Sequence, residues 1–317
     1  MTPGETERAL KILTEHAWDR EVTWGQIRQW SENFGGGHTA AAEENKIALI
    51  ALTRFLYFGK RLVREMLRSI YRDHFESPLI QAIRRHLRHS KDAGLIRAIF
   101  HQERNATRFI GMGNPSESGA HLLYYFRQIN RLPKDMFVDM GTAFVETMPG
   151  KTLSFLKATN PSVRRYVFFD DLVGSGQQSR DYLSKNLQRI RRRYPSIELR
   201  FMCLFATSKG IEGLNAPEFF DGKAMCLFEL DDTYKAFHPS QRYFPDALSP
   251  NFDAGVFRAM AIHYGSQLVP DHPLGYKDGQ LMLGFTHNTP DNTLPIFWNE
   301  GRTAPWEPIF VRYGKVY

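Results

Sequence analysis

The sequence has few cysteines and no long apolar run, and each absence excludes a class of protein. Only two of its 317 residues are cysteines, Cys203 and Cys226, and both lie in short apolar segments. They indicate buried side chains of strands in a reducing cytoplasm, and they lack the spacing of zinc ligands. The most apolar stretch, residues 47–58, is too short to span a membrane and contains Arg54. The acidic first residues do not resemble a signal peptide, so we expect a cytoplasmic protein without a membrane segment.

Basic residues only slightly outnumber acidic ones. The chain has 41 Lys and Arg against 34 Asp and Glu, a net charge of +7. Residues 60–104 carry most of it, with 11 basic and 5 acidic residues. Such an excess is compatible with a nucleic-acid or phosphate-rich partner, although a solvated helix face gives the same pattern. The candidate nucleic-acid contacts on this predicted basic face are Arg61, Arg64, Arg68, Arg85 and Arg88.

The chain has no internal repeat and no low-complexity segment, and its periodicity changes near residue 106. Apolar spacing predicts helices over residues 5–16, from Thr23, over 40–73 as one long helix, and over 77–89 and 92–103. From about residue 107, apolar strands alternate with helices, the last strand being 281–285. This alternation favours an α/β fold with a parallel sheet covered by helices on both faces. We therefore predict an α-helical N-terminal region, residues 1–105, and an α/β domain, residues 106–317.

One segment carries the clearest chemical information. From Tyr166 to Gln178 it reads Tyr-Val-Phe-Phe-Asp-Asp-Leu-Val-Gly-Ser-Gly-Gln-Gln. The apolar run is typical of a strand buried on both faces, and Asp170 and Asp171 come where it ends. A glycine-rich turn and a predicted helix follow, so backbone N–H groups and the positive end of the helix dipole point into the turn. The segment predicts a site for a phosphorylated ligand, with carboxylates for sugar hydroxyls or a cation.

This segment resembles the signature of the type I phosphoribosyltransferases, which have a Rossmann-like parallel sheet. In that family the two acids hold the ribose of phosphoribosyl pyrophosphate, Mg²⁺ bridges its sugar and pyrophosphate oxygens, and the loop binds the 5′-phosphate. The resemblance implies that Asp170 and Asp171 are the catalytic acids, with Mg²⁺ bound through the ligand and not by a direct protein site. It implies a ribose-phosphate loop made of Gly174, Ser175, Gly176, Gln177 and Gln178.

The loop departs from the family pattern at two positions. Gly174 and Gln178 stand where the family has hydroxyl residues, so Ser175 is the one hydroxyl of the loop. The missing hydroxyls favour a non-catalytic nucleotide sensor, whereas the complete acid pair favours an enzyme. An enzyme would be a phosphoribosyltransferase or a relative that cleaves a nucleotide or a nucleic acid.

A second loop, residues 111–119, follows a predicted strand and opens a helix. The family resemblance implies that Ser116, Ser118 and Gly119 receive the pyrophosphate there. A serine in this place is equally typical of a helix N-cap, so capping by Ser118 is the alternative interpretation.

Three longer segments are similar to a divergent branch of the family, the phosphoribosyltransferase-like proteins of bacterial conflict and antiphage defence systems, retrons among them. These segments are residues 24–34, 118–130 and 287–298. The similarity implies an effector or accessory component of a defence system. Its partners would be phosphoribosyl pyrophosphate or a nucleotide, and nucleic acid or a reverse-transcriptase complex of RNA and DNA; a homo-oligomer is compatible with it. The alternative is a non-catalytic sensor or adaptor that binds nucleic acid or a protein.

Other interpretations of single motifs stay open. The acid pair could belong to a phosphorelay receiver domain, with Asp231 or Asp232 as a later aspartate, or to a turn with solvated carboxylates. Residues 288–293 follow a predicted strand, which would put them at the carboxyl edge of the sheet, but they are also rich in turn formers. His287 is a candidate for base contact or proton transfer, and a structural histidine is the simpler interpretation.

Overall fold

A computed structural model of the chain describes residues 1–113, 118–147, 155–174, 177–244, 251–301, 305–310 and 312. In chain order the helices and strands are α1 (Pro3–Ile12), α2 (Trp24–Ser31), α3 (Ala41–Leu52), β1 (Leu56–Phe58), α4 (Lys60–Tyr71), α5 (Ser77–His86), α6 (Ala93–Asn105), β2 (Thr107–Gly111), α7 (Ser118–Ile129), α8 (Met140–Ala143), β3 (Phe144–Thr147), β4 (Phe155–Ala158), β5 (Arg165–Val173), α9 (Gln177–Arg193), β6 (Glu198–Thr207), α10 (Ser208–Leu214), β7 (Ala224–Leu230), α11 (Ala254–Leu268) and β8 (Leu283–Phe285). Among these described elements, no helix has the length and apolarity needed to cross a bilayer.

The chain forms two compact units. The first unit combines Met1–Val63 with Leu230–Tyr317, and the second unit is Arg64–Glu229. Neither boundary coincides with the division predicted near residue 105. The reason lies in contacts between distant parts of the sequence, which periodicity cannot reveal. In the first unit the Trp30 ring stacks on Phe297 at 5.5 Å, and its indole N–H donates to the Ile296 carbonyl at 2.8 Å.

The single helix predicted over residues 40–73 is wrong. Helix α3 ends at Leu52, and β1 pairs in parallel with β8 before α4 begins. Between β1 and α4, a Cβ at Gly59 would collide with the Asp19 carboxylate, which accepts a hydrogen bond from the Arg61 backbone N–H at 2.8 Å. Strand pairing and this capping contact therefore outweigh a continuous helical pattern.

The second unit contains the predicted sheet. Its four strands lie in the order β2-β5-β6-β7, and the pairs β2-β5 and β5-β6 are parallel. On one face Phe126 of α7 packs against Phe109 and Phe169, at ring distances of 5.1 and 5.0 Å. On the other face Leu187 of α9 joins a buried cluster with Phe168 and further sheet residues. The predicted α/β fold with helices on both faces of a parallel sheet is thus confirmed.

The late strand has a different place from the one predicted. Strand β8 pairs with β1 in the first unit and does not join the four-stranded sheet. After β8, the Thr286 backbone N–H donates to the Phe58 carbonyl at 3.0 Å, which continues this pairing. The premise that residues 288–293 follow a strand of the parallel sheet is therefore wrong.

Candidate functional site

The acid pair lies inside the last part of β5. Pairing with β6 continues past the apolar run, with Asp170 opposite Cys203, so the strand extends to Val173. Asp170 is half-buried and Asp171 is buried. The backbone N–H of Asp171 donates to Asp170 Oδ1 at 3.0 Å, and that of Leu172 donates to Asp171 Oδ1 at 2.7 Å. These bonds hold each carboxylate against the backbone N–H of the residue that follows it.

The end of β2 lies directly beside this pair. Gly111 is opposite Phe169, and the Met112 N–H donates to the Phe169 carbonyl at 2.8 Å. Gly113 follows with a φ of +79°, a left-handed conformation that favours glycine. Because β2 and β5 are parallel, the chain leaves both strands at the same edge of the sheet. The loop after β2 therefore begins beside Asp170, whereas β5 continues to Val173 before the Gly174 loop begins.

The remaining predicted loop residues are described only in part. Ser116, Ser175 and Gly176 lie outside the described residues. Ser118 and Gly119 are in the first turn of α7, and Gln177 and Gln178 are in the first turn of α9.

The turn after β6 holds Gly174 in place, which the sequence did not reveal. The Thr207 hydroxyl donates to the Gly174 carbonyl at 2.5 Å and accepts from the Gly210 N–H at 3.0 Å. A Cβ at Gly210 would collide with the Gly174 carbonyl oxygen and lie 3.0 Å from that of Val173. A threonine before a helix can be recognised in a sequence as an N-cap. A hydrogen bond from its hydroxyl to a residue of another strand cannot.

Cys203 is a neutral neighbour of the acids. Burial raises the pKa of its thiol well above the usual value, and Cys226, Asp170 and Asp171 raise it further. The thiolate is the reactive and metal-binding form of cysteine, so this position is unsuited to a nucleophile. Both cysteines are free and lie on strands, β6 and β7, as predicted, but only Cys203 is buried and Cys226 is half-buried.

The acid pair offers the right atoms for a magnesium ion. Mg²⁺ prefers carboxylate oxygens and retains water or ligand oxygens in the rest of its coordination shell. In the described ranges, no group of three or more His, Cys, Asp or Glu side chains is arranged to hold a metal ion.

At the opposite, amino edge of the sheet the charges are paired within the protein. Arg165 Nε lies 2.6 Å from Glu198 Oε2, and Arg200 Nη2 lies 2.8 Å from Glu198 Oε1. Burial raises the pKa of Glu198, but the two arginines outweigh it, and the pKa is lower than usual. This edge of the sheet is an internal ion-pair network.

The arginines of the predicted basic face belong to both units. Arg61 belongs to the first unit, where its Nε lies 3.4 Å from Asp19 Oδ1. Arg68 belongs to the second unit, and its Nη1 lies 2.6 Å from Glu65 Oε2. Two of the five candidate arginines are therefore paired with an acid of the same unit.

The other three arginines of this face also lie in the second unit. Arg64 places its guanidinium 5.9 Å from the centre of the Tyr125 ring. Arg85 and Arg88 are exposed at the end of α5 and in the turn after it, where Arg88 has a φ of +51°. Nucleic-acid contact by this face stays a prediction.

The segment after β8 is a turn of the first unit. The His287 ring stacks on Phe285 at 5.2 Å, and Phe285 and Asn288 exchange two backbone hydrogen bonds. Thr293 is fully buried and donates from Oγ1 to the Leu283 carbonyl at 2.6 Å. These contacts support the structural interpretation of the segment over a catalytic one.

The fold and site define an α/β protein whose candidate ligand site is at the carboxyl edge of a parallel sheet, the usual place for ligands in open α/β folds. The sequence profile of the PRTase-CE family matches residues 27–312, which is well over half of the chain. The chain therefore belongs to the PRTase-CE family. No curated protein matches it.

Two solved structures are similar over part of the chain. An orotate phosphoribosyltransferase from Aeropyrum pernix is 14% identical, with a TM-score of 0.25, over 41% of this chain and 63% of the enzyme. The chain thus matches less than two thirds of that enzyme. A xanthine-guanine-hypoxanthine phosphoribosyltransferase from Helicobacter pylori is 12% identical, with a TM-score of 0.27, over 56% of this chain and 86% of the enzyme. Both TM-scores are below 0.5, too low for either structure to guide the interpretation of this site.

Proposed function

We propose that the edge formed by β2 and β5 binds a ribose-phosphate ligand, phosphoribosyl pyrophosphate or a nucleotide, together with Mg²⁺. The observation that carries this proposal is the pairing of Gly111 with Phe169, which brings the start of one loop beside Asp170 and Asp171, on the strand that leads into the other loop. Two helices, α7 and α9, begin just after these loops. A helix N-terminus offers unpaired N–H groups and a positive dipole to a phosphate.

Each part of the edge has a role in this proposal. Asp170 and Asp171 accept hydrogen bonds from the ribose hydroxyls, and the loop from Gly174 to Gln178 anchors the 5′-phosphate. The loop with Ser116, Ser118 and Gly119 receives the pyrophosphate. Magnesium would be held by the sugar and pyrophosphate oxygens of the ligand, near the acid pair, and would neutralise charge on the pyrophosphate.

In the enzymatic form of the proposal, the bond between the anomeric carbon and the pyrophosphate oxygen breaks. A bond from that carbon to an acceptor or to water forms in its place. The carboxylates of Asp170 and Asp171 stabilise the positive charge that develops on the sugar. Charges held in place before the reaction are the main contribution that such a site can make.

The second candidate is a sensor or adaptor that binds the same ligand without turnover. Gly174 and Gln178 support it, because they replace the hydroxyls that hold the 5′-phosphate in the enzymes of the type I signature. Such a protein would pass on ligand binding to a partner, nucleic acid or protein.

Calorimetric titration with phosphoribosyl pyrophosphate and Mg²⁺ tests ligand binding. We expect saturable heat with the wild type and its loss in Asp170→Asn/Asp171→Asn. The matched control is Asp231→Asn/Asp232→Asn, an equally charged consecutive pair in the first unit that pairs with Arg242 and Lys235. Absence of heat with the wild type would contradict the proposal, as would equal losses in the two double variants.

Pyrophosphate release in the same samples separates the two candidates. Release that disappears in Asp170→Asn/Asp171→Asn supports the enzyme. Binding without release, tested with purine, pyrimidine and nucleic-acid acceptors, supports the sensor.

We further propose that this activity serves antiphage defence in the cytoplasm, on the basis of the sequence resemblance to conflict-system proteins. The test is phage plating on cells that express the gene with its neighbouring genes. Protection by the wild type that Asp170→Asn/Asp171→Asn loses would support a defence role, and equal plating with and without the genes would exclude it for the phages used.

A further inference from the structure

One helix of the second unit exposes aromatic side chains on its outer face. In α7, His121 and Tyr124 are exposed and Tyr125 is half-buried, while Leu122 and Phe126 are buried beneath them. Tyr124 is 54% exposed, the largest exposed fraction among the large hydrophobic side chains described. Tyrosine is enriched at interfaces, because its ring is apolar and its hydroxyl can stay hydrated.

The rings of this face touch one another edge to face. Tyr124 and Tyr125 have their centres 5.5 Å apart with planes at 77°, and His121 and Tyr125 are 5.2 Å apart at 78°. Residues three and four apart on a helix are neighbours, so α7 presents the three rings as one group.

An arginine lies near each of the two tyrosine rings. Arg64 of α4 lies 5.9 Å from the Tyr125 ring centre, and Arg127 lies 5.9 Å from that of Tyr124. Helix α4 is fixed beside α7, since Asn130 Nδ2 donates to the Leu67 carbonyl at 3.1 Å. We name the surface formed by Arg64, His121, Tyr124, Tyr125 and Arg127 the α4–α7 patch.

We propose that the α4–α7 patch binds single-stranded nucleic acid. Guanidinium groups beside exposed rings offer a phosphate contact and a stacking surface within a few ångströms of each other, the combination by which proteins hold unpaired strands. A duplex keeps the faces of its bases stacked internally and can use the arginines alone. The patch therefore favours single strands over duplex.

This surface differs from the basic face that the sequence predicted. Arg61 and Arg68 of that face are paired with Asp19 and Glu65. Arg64 is the one arginine that belongs both to that face and to the α4–α7 patch. It belongs to the patch because its guanidinium lies near the Tyr125 ring of α7. Glu65 is the nearest acid along α4, and Arg68 binds it at 2.6 Å. The proposal does not depend on a ribose-phosphate ligand at the sheet edge.

Fluorescence anisotropy of the full-length protein tests the proposal with fluorescein-labelled oligothymidylate, alone and annealed to oligoadenylate. We expect tighter binding of the single strand. Tyr124→Ala should weaken it roughly tenfold, and Tyr124→Trp, which keeps a stacking ring, should retain it. Between about 50 and 200 mM salt, Arg64→Gln and Arg127→Gln should each reduce the slope of log affinity against log salt by about 0.7.

Tyr276 provides the matched control. It is a 39% exposed tyrosine of the first unit with Lys277 Nζ 5.5 Å from its ring centre, so Tyr276→Ala removes a similar pair elsewhere. Its affinity should equal that of the wild type, with circular dichroism confirming that every variant is folded. Three results overturn the proposal: no binding of either oligonucleotide, tighter binding of the duplex, or equal affinities of folded Tyr124→Ala and Tyr276→Ala.

Discussion

The Thr207 hydroxyl donates a hydrogen bond to the carbonyl oxygen of Gly174, a residue 33 positions earlier in the chain, at 2.5 Å. The same hydroxyl accepts the N–H of Gly210 and so caps helix α10. Strand β6 thus fixes the place where the chain leaves β5. The position of the proposed phosphate loop is set by the neighbouring strand as well as by its own glycines.

Replacing Thr207 with valine should test this support. The shape is nearly unchanged, but the Gly174 carbonyl and the Gly210 N–H both lose their partner. We expect a loss of about 1 kcal/mol in the free energy of unfolding, measured with urea. Titration with phosphoribosyl pyrophosphate should show an affinity roughly fivefold lower. Thr207→Ser keeps the hydroxyl and should restore both, and an unchanged affinity in folded Thr207→Val would exclude a role for this contact in binding.

Gly210 should tolerate no side chain. A Cβ there meets the Gly174 carbonyl oxygen and the Val173 carbonyl oxygen, both of them backbone atoms that cannot turn aside. We expect Gly210→Ala to cost about 1–3 kcal/mol of unfolding free energy. The control is Gly4→Ala in α1, where nothing lies within 4 Å of the added carbon and alanine should stabilise by about 0.4–1 kcal/mol. Equal effects of the two substitutions would show that Gly210 does not pack closely against the Gly174 carbonyl oxygen.

The core strand and the sheet can be predicted from the sequence, because each strand is marked by an apolar run of neighbouring residues. The run from Tyr166 to Phe169 is buried throughout, as its continuous apolarity indicates. The end of β5 is less predictable, since Asp170 stays in the strand through its pairing opposite Cys203. An acid after an apolar run looks like a strand end until the partner strand is known.

The first unit shows what sequence periodicity cannot predict. Its core joins Trp30 to Phe297 and Phe55 to Phe310, contacts that span most of the chain. Helical spacing in the first sixty residues identifies apolar faces but not what covers them. The split of the predicted long helix at β1 has the same origin, because β1 exists through its pairing with β8.

The ion pairs at the amino edge of the sheet should matter more than those on its surface. Arg165→Met leaves the partly buried Glu198 with Arg200 as its remaining cation in this cluster. We expect a loss of about 2 kcal/mol in unfolding free energy, less than for a fully buried pair because the Glu198 side chain is 25% exposed. Arg68→Met breaks the exposed pair with Glu65 and should cost less than about 1 kcal/mol. Circular dichroism during urea unfolding measures both, and equal losses would contradict a special role for Arg165.

The first unit should lose stability in acid through Glu44. Its buried carboxylate accepts hydrogen bonds from the N–H groups of Gly36, His38 and Thr39, at 2.6–2.9 Å, and from the Tyr264 hydroxyl at 2.5 Å. Burial raises the pKa of Glu44, but these four donors outweigh it, so the pKa lies below its usual value of 4.5. Folding therefore favours the ionised form.

It follows that the stability contributed by Glu44 is complete above about pH 4.5 and is lost as the pH falls through the lower pKa of the folded protein. Glu44→Gln exchanges one acceptor oxygen for a donor, strands a backbone N–H, and should cost about 1–3 kcal/mol at neutral pH. All five tryptophans belong to the first unit, so their fluorescence during urea unfolding reports on it selectively. The difference between wild type and Glu44→Gln should shrink on acidification below pH 4.5, and a difference that stays constant would show that Glu44 does not titrate as its hydrogen bonds require.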